Sequence, residues 1–125
     1  MRIMITLLML LTVTIGRAQT KTEVLKELHR QGIPHANIVL AQARLETGNF
    51  KSRRCKVDHN LFGIKHGRRY ARYSHWRESV ADYKKRISSR YEGGDYYSFL
   101  KRIHYAESKD YIQRVKKIAD GMARY

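Results

Sequence analysis

The stretch from Asn37 to Phe50 constrains the fold most, because apolar residues cover nearly the whole circumference of the helix that it predicts. These residues are Ile38, Val39, Leu40, Ala41, Ala43 and Leu45. A helix that is apolar on every side is typical of the centre of a core, whereas a surface helix keeps one polar face. The sequence therefore predicts a central, mostly buried helix around which the rest of the chain packs.

Glu46 stands at the end of this predicted helix, two residues before Gly48, a natural helix terminator. The dipole at a helix C-terminus disfavours a negative charge, and partial burial acts in the same direction. Both effects raise the pKa of a carboxyl group, as a general acid working near neutral pH requires. The alternative is a partly exposed glutamate that forms a salt bridge with one of the many basic residues.

Further helices are predicted from cap residues and from apolar side chains at helical spacing. The first runs from Thr20 to Arg30, where Thr20 and Glu23 have the spacing of a capping box. The predicted starts of the others are Ile33-Pro34 for the central helix and the N-caps Ser74, Asp95 and Ser108 for the last three. With 125 residues, the chain is long enough for one domain of about five helices.

A short β hairpin is predicted directly after the central helix. Residues 51–59 are polar and basic and predict a loop, and two short strands follow at Asn60–Lys65 and Arg69–Tyr73, joined by a turn at residues 66–68. A two-stranded hairpin is marginal alone and must pack on the helices. The fold class is thus α+β and mostly helical, with a small lobe. We expect a groove between lobe and helices, with Glu46 on its floor, and such clefts suit extended polymers.

Residues 1–18 have the pattern of a signal peptide. Arg2 is followed by the apolar and threonine run Ile3–Ile15, and Gly16-Arg17-Ala18 suggests cleavage before Gln19. The run is short for a permanent membrane span, so a retained anchor is the lesser alternative, and no stable membrane insertion is expected after cleavage. We therefore expect an exported protein, periplasmic or extracellular, whose mature domain is residues 19–125.

The net charge of +15 at pH 7 fits an acidic partner. Nucleic acid, anionic lipid and an acidic polymer all remain possible on charge alone, but export favours a cell-envelope polymer over nucleic acid. Cys55 is the only cysteine, so no internal disulfide is expected. The six histidines have no spacing typical of a metal site, and we expect neither a metal nor another cofactor.

Four segments in order resemble the glucosaminidase domain of glycoside hydrolase family 73, which includes the peptidoglycan-cleaving domains of flagellar rod-assembly proteins and many autolysins. They are LAQARLETGNF at 40–50, NLFGIK at 60–65, YSHWRESVADY at 73–83 and HYAESKDY at 104–111. The resemblance implies a lysozyme-like fold and cleavage of the β-1,4 bond after N-acetylglucosamine in peptidoglycan glycan strands. It also implies that Glu46 protonates the leaving oxygen, that Tyr105 assists catalysis, and that Asn60 and Phe62 shape the groove.

The sequence departs from the family's pattern in the hairpin. Several family members carry a second acidic residue in a longer lobe, whereas residues 65–73 contain no Asp or Glu here. Glycosidases ordinarily use two carboxyl groups, about 5 Å apart for retention or roughly 6.5–9.5 Å apart for inversion. Asp58, Glu78 and Asp82 are the candidates, and structural ion pairs are the better interpretation of the last two. The preferred hypothesis is attack by the substrate's own 2-acetamido oxygen, which needs no second carboxylate.

Aromatic residues near the expected groove are candidates for stacking on sugar rings. Phe62, Tyr70 and Tyr73 are the predicted substrate-binding aromatics, and Asp58 is expected to face the same groove. Trp76 and Tyr83 are better interpreted as core residues of the third predicted helix. Two other functions remain open: a non-catalytic glycan-binding or envelope-assembly domain with the same fold, and an endoglucosaminidase acting on other N-acetylglucosamine glycans.

Overall fold

The computed structural model describes residues 19–122, so the predicted signal peptide lies outside the described residues. Within this range the chain forms six α-helices and one antiparallel hairpin. The elements are α1 Lys21–Arg30, α2 Ala36–Thr47, α3 Arg53–Asp58, β1 Lys65–His66, β2 Arg69–Tyr70, α4 Trp76–Arg86, α5 Tyr96–Arg102 and α6 Tyr111–Met122, with a 3₁₀ turn at Ser88–Arg90. The predicted α+β fold, mostly helical and lysozyme-like with a small β lobe, is confirmed.

The helix α2 is the centre of the molecule, as its apolar sequence predicts. Val39, Ala41 and Ala43 are fully buried, and α2 packs against α1 on one side and α6 on the other. The helix ends at Gly48, whose φ of 55° lets its N–H reach the carbonyl of Arg44. It begins at Ala36, later than the predicted start at Ile33-Pro34, because His35 adopts a left-handed conformation that interrupts the helix there.

Two of the predicted N-caps, Thr20 and Asp95, are confirmed, and two, Ser74 and Ser108, are not. Thr20 and Glu23 form the capping box of α1, and Asp95 accepts a hydrogen bond from the N–H of Ser98 at the start of α5. The predicted cap Ser74 of α4 is wrong by one residue. His75 takes that position, since its ring nitrogen accepts the N–H of Arg77 at 3.1 Å. The hydroxyl of Ser74 instead bonds to the Glu78 carboxylate.

The last helix also begins later than predicted. Ser108 was expected to cap it, but α6 starts at Tyr111. The side chain of Ser108 bonds to the carboxylate of Asp110, so it does not cap α6 through its hydroxyl. Its carbonyl accepts the N–H of Tyr111 at 3.3 Å, which closes a turn before the helix proper.

The predicted loop at residues 51–59 is wrong in part, because it contains the short helix α3. Ser52 caps this helix by accepting the N–H of Cys55 at 3.2 Å. The Cys55 side chain is 1% exposed and anchors the helix in the core. A single buried residue in a basic segment leaves no helical periodicity, so no sequence pattern indicates this helix.

The hairpin is shorter than predicted, because the segment from Asn60 to Ile64 is not a strand. The ladder pairs Lys65 with Tyr70 and His66 with Arg69. The side chain of Asn60 bonds to the backbone of this segment instead. Its amide donates to the carbonyls of Ile64 at 2.9 Å and Ala71 at 3.1 Å, and its oxygen accepts the N–H groups of Phe62 and Ile64. One buried side chain thus satisfies backbone groups that a strand partner would otherwise satisfy.

A chain of hydrogen bonds crosses the core and connects four helices. The Tyr83 hydroxyl donates to the Gln42 carbonyl at 2.6 Å and lies 2.7 Å from the Tyr96 hydroxyl. The Gln42 amide donates to the Tyr111 hydroxyl at 3.1 Å. Tyr83 and Gln42 are fully buried, so these polar groups depend on one another for partners.

Substitution of Tyr83 by Phe should lower the free energy of unfolding by about 1–3 kcal/mol, because it leaves the buried Gln42 carbonyl without its donor. Urea denaturation measures this loss. Tyr97→Phe is the matched control, since Tyr97 is half-buried and its hydroxyl has no hydrogen bond to a residue in 19–122. Equal losses for the two variants would contradict a structural role for the hydrogen-bonded chain.

Candidate active site

A cleft of about 420 Å³ lies where the helical body meets the β lobe. Glu46 enters it from the last turn of α2. The other lining residues are Phe62, Gly63, Ile64 and Lys65 before and in β1, Arg86, Ile87 and Arg90 at and after the end of α4, and Ile103, Tyr105 and Glu107 between α5 and α6. The cleft thus combines apolar walls, three basic groups and two carboxyl groups.

The carboxyl group of Glu46 is shielded from water. Desolvation raises its pKa above the ordinary value, while the charge of Arg54, a hydrogen bond from Tyr111 and the charge of Arg114 act in the opposite direction. The net shift is upward, so desolvation outweighs the two cations and the donor. A carboxyl group in this environment keeps its proton to higher pH, as a general acid does.

Gly63 is the closest neighbour that shapes the Glu46 position. Its φ is +65°, and a Cβ built on it would lie 2.9 Å from Oε2 of Glu46. Any other residue would therefore collide with the carboxylate and would also be strained in this backbone conformation. The backbone of the lobe can approach Glu46 only because this position is a glycine.

Tyr105 joins the link between α5 and α6 to the lobe. Its hydroxyl donates to the carbonyl of Phe62 at 3.1 Å, and its ring stacks on Tyr111 with centroids 5.5 Å apart. Burial, followed by the electrostatic effects of Tyr111 and Glu46, raises the pKa of Tyr105 well above its ordinary value. Tyr105 therefore acts as a neutral hydroxyl beside Glu46, a donor or acceptor of hydrogen bonds and not a phenolate.

The structure brings together three of the predicted site residues: Glu46, Tyr105 and Phe62 all line the cleft. Asn60 lies beneath it, fully buried, and its side chain is occupied by the backbone of the lobe. A contact between Asn60 and substrate stays a prediction, since the described role of this residue is to hold the cleft-lining segment in place.

Asp58, Tyr70 and Tyr73 are not among the residues that line this cleft. Asp58 pairs with Arg72 at 3.5 Å. Tyr70 is 39% exposed on the hairpin, with the Arg54 guanidinium 3.3 Å above its ring. Substrate contacts by these residues, outside the cleft itself, also stay predictions.

The two other acidic candidates have structural partners. Glu78 belongs to the capping box of α4. Asp82 accepts hydrogen bonds from Tyr73 at 2.6 Å and Arg86 at 2.8 Å and bonds to the His66 ring at 2.9 Å. The contacts of Asp82 tie the hairpin to α4 and include the predicted ion pair, with Arg86. Glu78 is structural as predicted, but its partners are the Ser74 hydroxyl and the His75 N–H and not a basic side chain.

Glu107 is the site residue that the sequence interpretation missed. It lines the cleft from the segment between α5 and α6. Its position two residues after Tyr105 was the available signal, because a short segment that carries one cleft residue can bring a neighbour to the same surface. The predicted linker has no periodic pattern that would place the Glu107 side chain in the cleft, so its closeness to Tyr105 in the sequence is the one indication.

A larger cavity, of about 500 Å³, lies between α1, α2 and α6, and no acidic side chain lines it. It therefore lacks the proton donor that glycoside hydrolysis needs. Across residues 19–122, no group of three or more potential metal-ligating side chains comes together, and no helix in that range is long and apolar enough to cross a membrane.

Comparison with known protein families places this geometry in context. A family model described as mannosyl-glycoprotein endo-beta-N-acetylglucosaminidase, the glucosaminidase domain, matches residues 21–124. The chain belongs to this glucosaminidase family. A search of curated proteins found no match, and neither did a search of solved structures. Membership indicates a glycoside hydrolase that acts on a glycan.

Substitution of Gly63 by Ala should lower the activity of this glucosaminidase by about 100-fold, because the new Cβ displaces the Glu46 carboxylate from its position. Hydrolysis of purified peptidoglycan measures the loss. Gly67→Ala is the matched control: its φ is +68°, but a Cβ there meets nothing within 4 Å. Both variants should lose about 1–2 kcal/mol of stability from backbone strain, and equal activities would contradict the role of Gly63.

Substitution of Arg54 by Gln should move the alkaline limb of the pH–activity profile to higher pH. The Arg54 charge lowers the pKa of Glu46, so its removal raises that pKa further. A general acid works in its protonated form, and activity is lost as pH rises through its pKa. Arg53→Gln, on the exposed side of the same helix, is the control and should leave the limb in place. A shift to lower pH would contradict Glu46 as the titrating acid.

Proposed function

We propose that this protein is an endo-β-N-acetylglucosaminidase that cleaves the β-1,4 bond after N-acetylglucosamine in the glycan strands of peptidoglycan. Glu46 is the general acid that protonates the leaving oxygen. The observation that supports this most directly is the desolvated carboxyl group at the wall of an open cleft, with a raised pKa, in a chain of the glucosaminidase family.

Tyr105 assists the reaction from a position beside Glu46 in the same cleft. Its hydroxyl is neutral and lies close enough to Glu46 for the carboxylate to influence its pKa. It can orient either the substrate's acetamido group or a water molecule at the reacting carbon. Its hydrogen bond to the Phe62 carbonyl holds the link between α5 and α6 against the lobe and so fixes the relative position of these two parts of the cleft.

The charge of the cleft favours peptidoglycan over neutral glycans of N-acetylglucosamine. Lys65, Arg86 and Arg90 line the cleft, and Arg86 forms an ion pair with Asp82. Carboxylates of peptide stems carry the complementary charge. The alternatives are an endoglucosaminidase of other glycans and a glycan-binding domain without activity. The measurement of peptidoglycan hydrolysis described below distinguishes them from the proposed function.

We propose further that the protein works outside the cytoplasm, in the periplasm or the extracellular space. The support is the signal-like sequence of residues 1–18 together with a substrate found in the cell envelope. A role like that of autolysins or of flagellar rod-assembly enzymes follows from the motifs that resemble them. Such an enzyme needs no nucleic-acid partner and no cofactor.

Two routes can follow protonation of the leaving oxygen. In one, the substrate's 2-acetamido oxygen attacks the anomeric carbon, and water later opens the ring intermediate with overall retention. In the other, a second carboxylate removes a proton from a water that attacks directly, with inversion. The anomeric configuration of the first product distinguishes these routes.

Glu46→Gln should lower peptidoglycan hydrolysis by at least about 100-fold, because glutamine cannot donate the proton. Mass spectrometry of fragments from the wild-type protein should show N-acetylglucosamine at the new reducing ends. Reducing ends on N-acetylmuramic acid would instead indicate a muramidase. Glu92→Gln is the control, since Glu92 is exposed and does not line the cleft.

The variant Glu46→Gln should be more stable than the wild type at neutral pH. The folded-state pKa of Glu46 is raised, so ionisation favours the unfolded state as pH rises above the ordinary glutamate value. The Tm of Glu46→Gln should exceed the wild-type Tm at pH 7, and the difference should vanish below about pH 4, where both states are protonated. Loss of activity with a lowered Tm would point to misfolding and not to a missing acid.

A further inference from the structure

A second catalytic carboxyl group can be sought exhaustively in this chain. All 11 acidic residues lie within residues 19–122, so every one has a described position. Glu46 and Glu107 are the two that line the cleft. The hairpin, where several family members carry their second acid, has none.

Most other acidic side chains already have structural partners. Helix caps, hydrogen bonds or ion pairs engage Glu23, Glu27, Asp58, Glu78, Asp82, Asp95 and Asp110. Glu92 and Asp120 do not line the cleft. The search therefore ends at one side chain besides Glu46.

Glu107 is available for chemistry in a way that those residues are not. Its side chain is exposed and forms no hydrogen bond or ion pair with any residue from 19 to 122. It lies on the wall formed by the link between α5 and α6, whereas Glu46 is at the end of α2. The two carboxyl groups thus have different environments, one shielded and one open to water, which is the arrangement that separates an acid from a base in glycosidases.

We propose that Glu107 is a second catalytic residue, the general base that takes a proton from the attacking water. This inference rests on the proposed function. Glu46 gives its proton to the glycosidic oxygen as the C1–O bond breaks, the water oxygen bonds to C1, and Glu107 receives the water's proton. One water is consumed, and a proton returns from Glu107 to Glu46 through solvent. The attack from the opposite face inverts the anomeric centre.

The location of Glu107 also changes the case for substrate assistance. The hypothesis of substrate assistance rests on the absence of an acidic residue from the hairpin. A carboxyl group elsewhere in the same cleft supplies the missing base from a different element. The short lobe then reflects a different position of the second acid, not its loss.

The test combines Glu107→Gln and Glu107→Ala with proton NMR of the wild-type products on soluble glycan strands. We expect the wild type to release the α anomer first, and Glu107→Gln to lower kcat by about 100-fold or more with little change in KM. Sodium azide should restore turnover to Glu107→Ala and give the α-glycosyl azide. Glu92→Gln, another exposed glutamate, should keep wild-type kinetics.

Three results would overturn the role of Glu107: a β anomer as the first product, wild-type kcat in Glu107→Gln, or no azide product from Glu107→Ala. The first of these would support substrate assistance instead. Failure of the proposed function has a different signature, since a wild-type protein that releases no reducing ends would refute both. Activity that requires Glu46 but not Glu107 would refute only the second assignment.

Discussion

The desolvation of one carboxyl group at the end of a buried helix is the constraint on which the rest of the site depends. The helix α2 is apolar on all sides and must occupy the centre of the core, so its last turn emerges wherever the surrounding elements leave an opening. Gly63 then brings the backbone of the lobe against Glu46 and excludes water from one side. Packing of the whole domain thereby fixes both the position of the acid and the direction of its pKa shift.

The buried hydrogen-bonded chain makes that position rigid. Tyr83 and Gln42 connect α4 to α2, and Gln42 passes the connection to Tyr111 at the start of α6. Tyr111 also lies close enough to Glu46 to lower the pKa of its carboxyl group. A hydroxyl that serves the core on one side and the carboxyl on the other couples stability to the geometry of the site. The Tyr111 hydroxyl also lowers the pKa of Glu46, so the net upward shift is the difference between the effect of burial and the effects of the polar neighbours.

The sequence predicted those features that depend on local patterns. The all-apolar face of α2, the terminator Gly48 and the capping box of Thr20 are local signals, and all three elements are present as expected. Tertiary contacts decided the rest. Cys55 alone anchors α3, which leaves no periodicity to detect, and the side chain of Asn60 replaces a strand partner over residues that look like a strand. Membership of Glu107 in the cleft likewise depends on how the α5–α6 link folds back, which no local pattern encodes.

The brevity of the β lobe explains why the second acid should come from elsewhere. With only two residues in each strand, the hairpin is short, and the strand residue that it brings to the cleft is a lysine, Lys65, and not an acid. One attachment of the hairpin to α4 uses Asp82, which is held by His66 and Tyr73 and is therefore committed to structure. The link that carries Tyr105 also lines the cleft and is fixed to the lobe by the bond to Phe62. A carboxyl group two residues further along this link gains a defined position without any extension of the lobe, so a short lobe and a two-carboxyl mechanism are compatible in the same small domain.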